Sequence, residues 1–183
     1  NNTNAQKFNL EKTDIINEGI VSIRKVDSVD MVVDVKDNSS KDGEKIQLYG
    51  KNGSLAQRFE IYKIKNDEVR IRTMSSGGWL TEEGKEAGSS VIQEGDSSTP
   101  VSDANTWKVE WNNGIVFKNK ESGLYLDVEG NKTDNATKIK VNKKNNNQIS
   151  QRFLVVKEDL LGGWYEIESA LGTFVDLDNS GSD

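Results

Sequence analysis

The feature that most restricts this chain is that it repeats itself. The segment MVVDVKDNSSKDGEKIQLYGKNGSLAQRF, Met31 to Phe59, is answered by LYLDVEGNKTDNATKIKVNKKNNNQISQRF, Leu124 to Phe153. Both open on an apolar stretch around an aspartate, pass through a polar loop into an alternating strand, and close on Gln-Arg-Phe. A fainter copy lies between them, SGGWLTEEGKEAGSSVIQEG followed by ANTWKV. It keeps the Gly-aromatic-Leu start and a terminal Trp107, but carries Thr81 for the aspartate and Asn105 for the glutamine. Matching positions recur at roughly 46 to 51 residues, a period that belongs to stacked or radial repeat architectures.

Two partial copies flank the three. NNTNAQKFNLEK reads as the tail of a repeat, with Gln6 and Phe8 at the Gln-x-Phe positions, and GGWYEIESALGTFVDLDNSGSD reads as the head of another, with Asp176 at the aspartate position. The expected organisation is therefore a tail over 1–13, whole units at about 14–67, 68–114 and 115–158, and a head over 159–183. Each unit reads as four short strands. In the first they are Ile20–Arg24, Val32–Val35, Lys45–Tyr49 and Arg58–Tyr62, alternating and bounded by turn residues. Nothing shows convincing helical periodicity. Three four-stranded units closing on themselves predict an all-β fold, a β-trefoil; a propeller is the competing radial fold but normally takes at least four blades.

An apolar-Asp-Val start, an IQLY strand and a terminal Gln-x-Phe or Gln-x-Trp resemble the ricin-type lectin repeat, over nearly the whole chain. That resemblance implies one shallow sugar site per repeat. An aspartate would accept hydrogen bonds from sugar hydroxyls, an aromatic residue on the third strand would stack on the sugar's apolar face, and glutamines would complete the site. Carried onto the first unit, it implicates Asp34, Gln47, Tyr49 and Gln57. The family often has Asn immediately before that last glutamine; here the residue is Ala56, so the contact is either missing or supplied by Asn52. The third unit keeps Asp127 and Gln151 but puts Lys140 and Asn142 where amide and aromatic stood. It reads as a weaker site, as one for an acidic sugar through Lys138, Lys140, Lys143 and Lys144, or as a solvated strand edge that discourages pairing. The second unit, with Thr81 for the aspartate and no aromatic at the stacking position near Glu94 and Gly95, reads as scaffold. The resemblance further implies glycan partners, galactose-type or other neutral sugars, a place beside other modules of a larger protein, and a secreted or cell-surface location.

The local chemistry supports the first unit independently. In KIQLYG, alternation sends Ile46 and Leu48 to one face and Gln47 with Tyr49 to the other. Asp34, between Val33 and Val35, is expected to point away from the core. A pyranose needs such a pair: an acceptor for hydroxyls and a flat apolar surface for its C–H face. Other readings stand beside these. Asp34 would also cap a turn, Tyr49 would also serve as a half-buried strand aromatic, and Gln57 would also hold the repeat end by hydrogen bonds.

Composition narrows the alternatives. With no histidine and no cysteine, the commonest general base, the thiol nucleophile and the usual zinc ligands are missing, so no enzyme activity and no cofactor are expected. A net charge of −6 disfavours nucleic acid, whose binding needs a dense cationic face. No apolar run approaches the roughly 18 residues of a membrane span. The terminal DLDNSGSD offers the alternating oxygens of a calcium loop at Asp176, Asp178, Ser180 and Asp183, with Gly181 at the turn, but no distal glutamate closes it. A polar turn explains the same letters, and no metal site is expected. Two rival functions remain, a protein-interaction or inhibitor trefoil and a carboxylate-based glycosidase. The Asp34–Gln47–Tyr49 set favours sugar binding, because an inhibitor has no reason to keep it.

Overall fold

Four strands in each of three units, every one short and punctuated by Gly, Asn, Asp and Ser, leave no stretch long enough for a helical layer. The computed structural model describes residues 15–146 and 149–158, and among them it contains twelve strands and no α-helix. The first repeat holds β1 Gly19–Lys25, β2 Ser28–Val35, β3 Ile46–Gly50 and β4 Phe59–Lys65. The second holds β5 Glu68–Thr73, β6 Trp79–Glu82, β7 Val91–Glu94 and β8 Trp107–Trp111. The third holds β9 Ile115–Asn119, β10 Tyr125–Val128, β11 Thr137–Asn142 and β12 Phe153–Lys157.

The antiparallel pairings β1–β4, β4–β5, β5–β8, β8–β9, β9–β12 and β12–β1 return to their starting strand. The first and last strands of each repeat thus close a six-stranded barrel, which has no free edge. The middle strands form three hairpins, β2–β3, β6–β7 and β10–β11. These hairpins also touch one another, through β3–β11 pairing and the bridges Lys45 to Ile92 and Ser90 to Lys140. A barrel with three hairpins related by a threefold repeat is a β-trefoil.

The repeat ends supply its core. Phe59, Trp107 and Phe153 open β4, β8 and β12, and all three are fully buried. Their strand partners are equivalent as well: Val21, Val69 and Ile115. Trp107 Nε1 donates to the Leu80 carbonyl at 2.8 Å, so its polar edge is satisfied where no water reaches. Phe117 and Phe153 meet with centroids 6.2 Å apart. Between β8 and β9 the chain reverses through Asn113 and Gly114, at φ 51° and 146°. A Cβ at Gly114 would sit 3.2 Å from Arg152 Cβ, so both the angle and the space call for glycine. The partial repeats read at 1–13 and 159–183, and with them Gln6, Phe8 and the Asp176–Asp183 oxygens, lie outside the described residues.

Candidate functional site

The alternation in β3 comes out as the sequence predicts. Ile46 and Leu48 enter the core cluster, while Gln47 and Tyr49 lie on the other face, paired across to Asp34 and Val32 of β2. That face is not open strand. Two short 3-10 turns, Lys36–Asn38 after β2 and Leu55–Gln57 before β4, pack against each other over it. Asp34 consequently does not stand out into solvent as expected: it is only 4% exposed. The reason is the second turn, whose last residue reaches back over the strand.

Gln57 makes that reach. Its Nε2 donates to Asp34 Oδ2 at 3.1 Å and to the Gly50 carbonyl at 2.9 Å, while its Oε1 accepts from the backbone N–H groups of Asn52 and Gly53 at 2.7 and 3.2 Å. The amide therefore ties the carboxylate to the Gly50–Gly53 loop. From the strand side Gln47 Nε2 donates to Asp34 Oδ1 at 2.9 Å. Each carboxylate oxygen thus has one fixed donor and keeps a lone pair for another. Burial pushes the Asp34 carboxyl above its ordinary value of 3.8, and the Gln47 and Gln57 hydrogen bonds pull the other way.

Asp34 lies at the wall of a concavity of about 250 Å³ that also has Gln47, Tyr49, Asn52, Ser54 and Ala56 in its lining. The Asn52 side chain spends its Oδ1 on the Ser54 N–H at 2.9 Å. Four of the five first-repeat residues singled out from sequence, Asp34, Gln47, Tyr49 and Asn52, therefore share one concavity. Gln57 acts from behind it. Sequence reasoning missed Asp37 and Asn38, which line the same space. Both sit in the left-handed region, at φ 57° and 49°. Asp and Asn tolerate that conformation better than most residues, and a consecutive pair of them in KDNSS was the available signal.

The third repeat builds half of this arrangement. Gln151 Nε2 donates to Asp127 Oδ2 at 2.7 Å and to the Lys143 carbonyl at 2.8 Å, and its Oε1 accepts from Asn145 N–H at 3.0 Å. The clamp is the one Gln57 makes. Asp127 is 2% exposed, and burial again raises its carboxyl above the ordinary value. In register with it, Lys140 takes the place of Gln47 and pairs with Glu129 at 3.3 Å. Lys138 donates to the Gly88 carbonyl at 2.8 Å and Lys144 to Glu110 at 3.1 Å. Lys138, Lys140 and Lys144 are thus each engaged within the fold.

In the second repeat Thr81 donates to the Trp79 carbonyl, and Asn105 bonds the Ser102 N–H and the Pro100 carbonyl without reaching it. Among the described residues no group of three or more Asp, Glu, His or Cys is placed to hold a metal, and no helix is long and apolar enough to cross a membrane.

Comparison with known proteins agrees with this geometry. The model of the ricin-type β-trefoil lectin domain matches residues 19–153. No curated protein matches the chain. Among solved structures, a designed threefold-symmetric protein, ThreeFoil, superposes with a TM-score of 0.70 at 21% identity, covering 76% of this chain and 99% of its own. The Rhizoctonia solani agglutinin gives 0.67 at 19% identity, covering 78% and 97%. The agglutinin from Abrus precatorius gives 0.62 at 27% identity, with 81% of this chain covered and 51% of the agglutinin. The closed six-stranded barrel, the three hairpins and the family match over residues 19–153 place the chain in the ricin-type β-trefoil lectin family.

Proposed function

We propose that this protein is a carbohydrate-binding module without catalytic activity, and that its first repeat holds the principal sugar site. The observation that carries this reading is the buried Asp34 carboxylate, held by Gln47 and Gln57 at the wall of a concavity whose lining also includes the Tyr49 ring and the Asn52 amide. Two oxygens with fixed orientation suit a pair of neighbouring sugar hydroxyls. Tyr49, half-buried, offers a ring for the C–H face. The space is small and open, which fits one terminal sugar, galactose-type or another neutral hexose, rather than a chain threaded through a cleft.

Asp127 and Gln151 form a subsidiary site of lower affinity, because Lys140 and Asn142 have replaced the amide and the ring. A weak single site gains useful strength when several modules act together. This accords with a module in a larger secreted or cell-surface protein. Among lectins with this fold, the Abrus precatorius agglutinin is likewise about twice the length matched here, 51% of it being covered.

A glycan array probed at high protein density tests the proposal. Binding to a family of glycans sharing one terminal neutral sugar supports it. Binding to none, by a folded protein, overturns it in favour of a protein-interaction trefoil.

A further inference from the structure

The second repeat has lost the aspartate, yet it carries a feature the other two lack. On the outer face of β4–β5, Tyr62 and Arg70 are directly paired, as are Glu60 and Arg72. Trp79, opening β6, packs on that face. The Arg70 guanidinium lies 3.6 Å from the Trp79 ring centroid, and Tyr62 meets the same ring edge-on at 5.4 Å. Arg72 has a carboxylate partner, Glu60, at 2.5 Å. Arg70 has none among the described residues: it donates to the carbonyls of Thr99 and Pro100 at 3.1 and 3.4 Å, its Nε has no partner, and it is 6% exposed.

A buried cation without a counter-charge is costly, and the fold does not require it. Counting one residue on from the equivalent barrel partners Val21, Val69 and Ile115, the positions matching Arg70 are Ser22 and Val116. The positions matching Trp79 are Val32 and Tyr125. Neither other repeat places a cation at the Arg70 position; the third instead sets Lys118 and Lys144 over Tyr125, with the Glu110 carboxylate as partner to Lys144. Arg70 also lines a concavity of about 390 Å³, together with Tyr62, Arg72, Trp79, Ser97 and Val101, a size within the usual range of roughly 300–1,000 Å³ for small-molecule sites. Burial pulls the guanidinium below its ordinary value.

We infer that this concavity is a second ligand site, which takes a saccharide bearing an oxyanion, a carboxylate or sulfate, against Arg70. The anion supplies the missing counter-charge. The planar guanidinium, already fixed against Trp79, loses little freedom in forming a charge-assisted pair. The sugar ring lies against Val101 and the Tyr62 edge. The site shares no lining residue with the Asp34 concavity.

The experiment follows the Trp79 indole N–H signal by NMR while glucuronic acid, galactose 6-sulfate, galactose and inorganic sulfate are added in turn. Both acidic saccharides are expected to shift it, and galactose to leave it unmoved. Arg70→Gln should weaken the acidic saccharides by about tenfold or more. Val101→Trp, which fills the concavity and leaves the guanidinium in place, should do the same. Asp34→Asn should have no effect on these shifts, and Arg70→Gln none on neutral-sugar binding, so the two sites fail separately. No shift with either acidic saccharide, or undiminished binding by a folded Arg70→Gln protein, overturns the inference. Inorganic sulfate binding as tightly as the acidic saccharides overturns the assignment to a sugar.

Discussion

Replacing Asp34 by alanine removes the acceptor for two buried amides, those of Gln47 and Gln57. The fold should therefore lose stability by about 1–3 kcal/mol, as chemical denaturation will read, whereas Asp34→Asn keeps the shape. The carboxyl's raised value adds a pH dependence. Below its folded value Asp34 is protonated and one sugar acceptor is lost, so sugar binding should fall on acidification at a pH above the ordinary 3.8. Stability moves the other way. Between 3.8 and the folded value the native state holds the proton more readily than the unfolded chain, so this group's contribution is present at low pH and lost as pH rises through that window. The difference in unfolding free energy between wild type and Asp34→Asn, followed against pH, isolates it. The same carboxylate shows what a sequence withholds. The Val-Asp-Val alternation placed it on the face away from the core, which is correct, but that face is roofed by a turn whose position depends on Gln57, more than twenty residues on.

At the scale of elements, strands were legible and turns were not. Alternation in IQLY and the recurring Gln-x-aromatic ends located β2, β3 and β4 within a few residues, because a half-buried strand imposes a period of two. The 3-10 turns at Lys36–Asn38 and Leu55–Gln57 have no such period. They are set by left-handed Asp37 and Asn38 and by one glutamine bonding two loops, so Gln57 could be named from the repeat while the place of Asp37 and Asn38 in the site was missed. The Gln57 clamp makes a testable case. Gln57→Ala breaks four hydrogen bonds between Asp34, Gly50 and the Asn52–Gly53 backbone. Sugar affinity should drop by tenfold or so with Asp34 itself intact, measurable by calorimetry. Tyr49→Ala, by contrast, leaves the clamp untouched and should weaken binding by about 1–3 kcal/mol, the worth of stacking on a shallow face, with no change in unfolding free energy beyond a few tenths. The second repeat's Arg70–Trp79 pair was missed for another reason: it breaks the repeat, and a reading built on self-similarity passes over what only one copy has.

For the whole molecule, threefold repetition concentrates stability at three equivalent aromatics. Trp107 is fully buried and hydrogen-bonded to Leu80. Trp107→Ala should cost about 3–5 kcal/mol, seen as a fall in melting temperature, although it lies in the repeat that has Thr81 in place of the site aspartate and so should leave neutral-sugar affinity unchanged while the protein remains folded. On the proposed reading, stability and binding divide between the barrel, shared by all three repeats, and the hairpin face, where the first repeat alone sets Asp34, Gln47 and Tyr49 in one concavity. The most direct test of that division is a calorimetric titration of Asp34→Asn against the best neutral glycan from the array, with Asp127→Asn and wild type alongside and melting temperature as the folding control. The account predicts that Asp34→Asn, still folded, loses measurable binding while Asp127→Asn retains most of it. Wild-type affinity in a folded Asp34→Asn protein would contradict it.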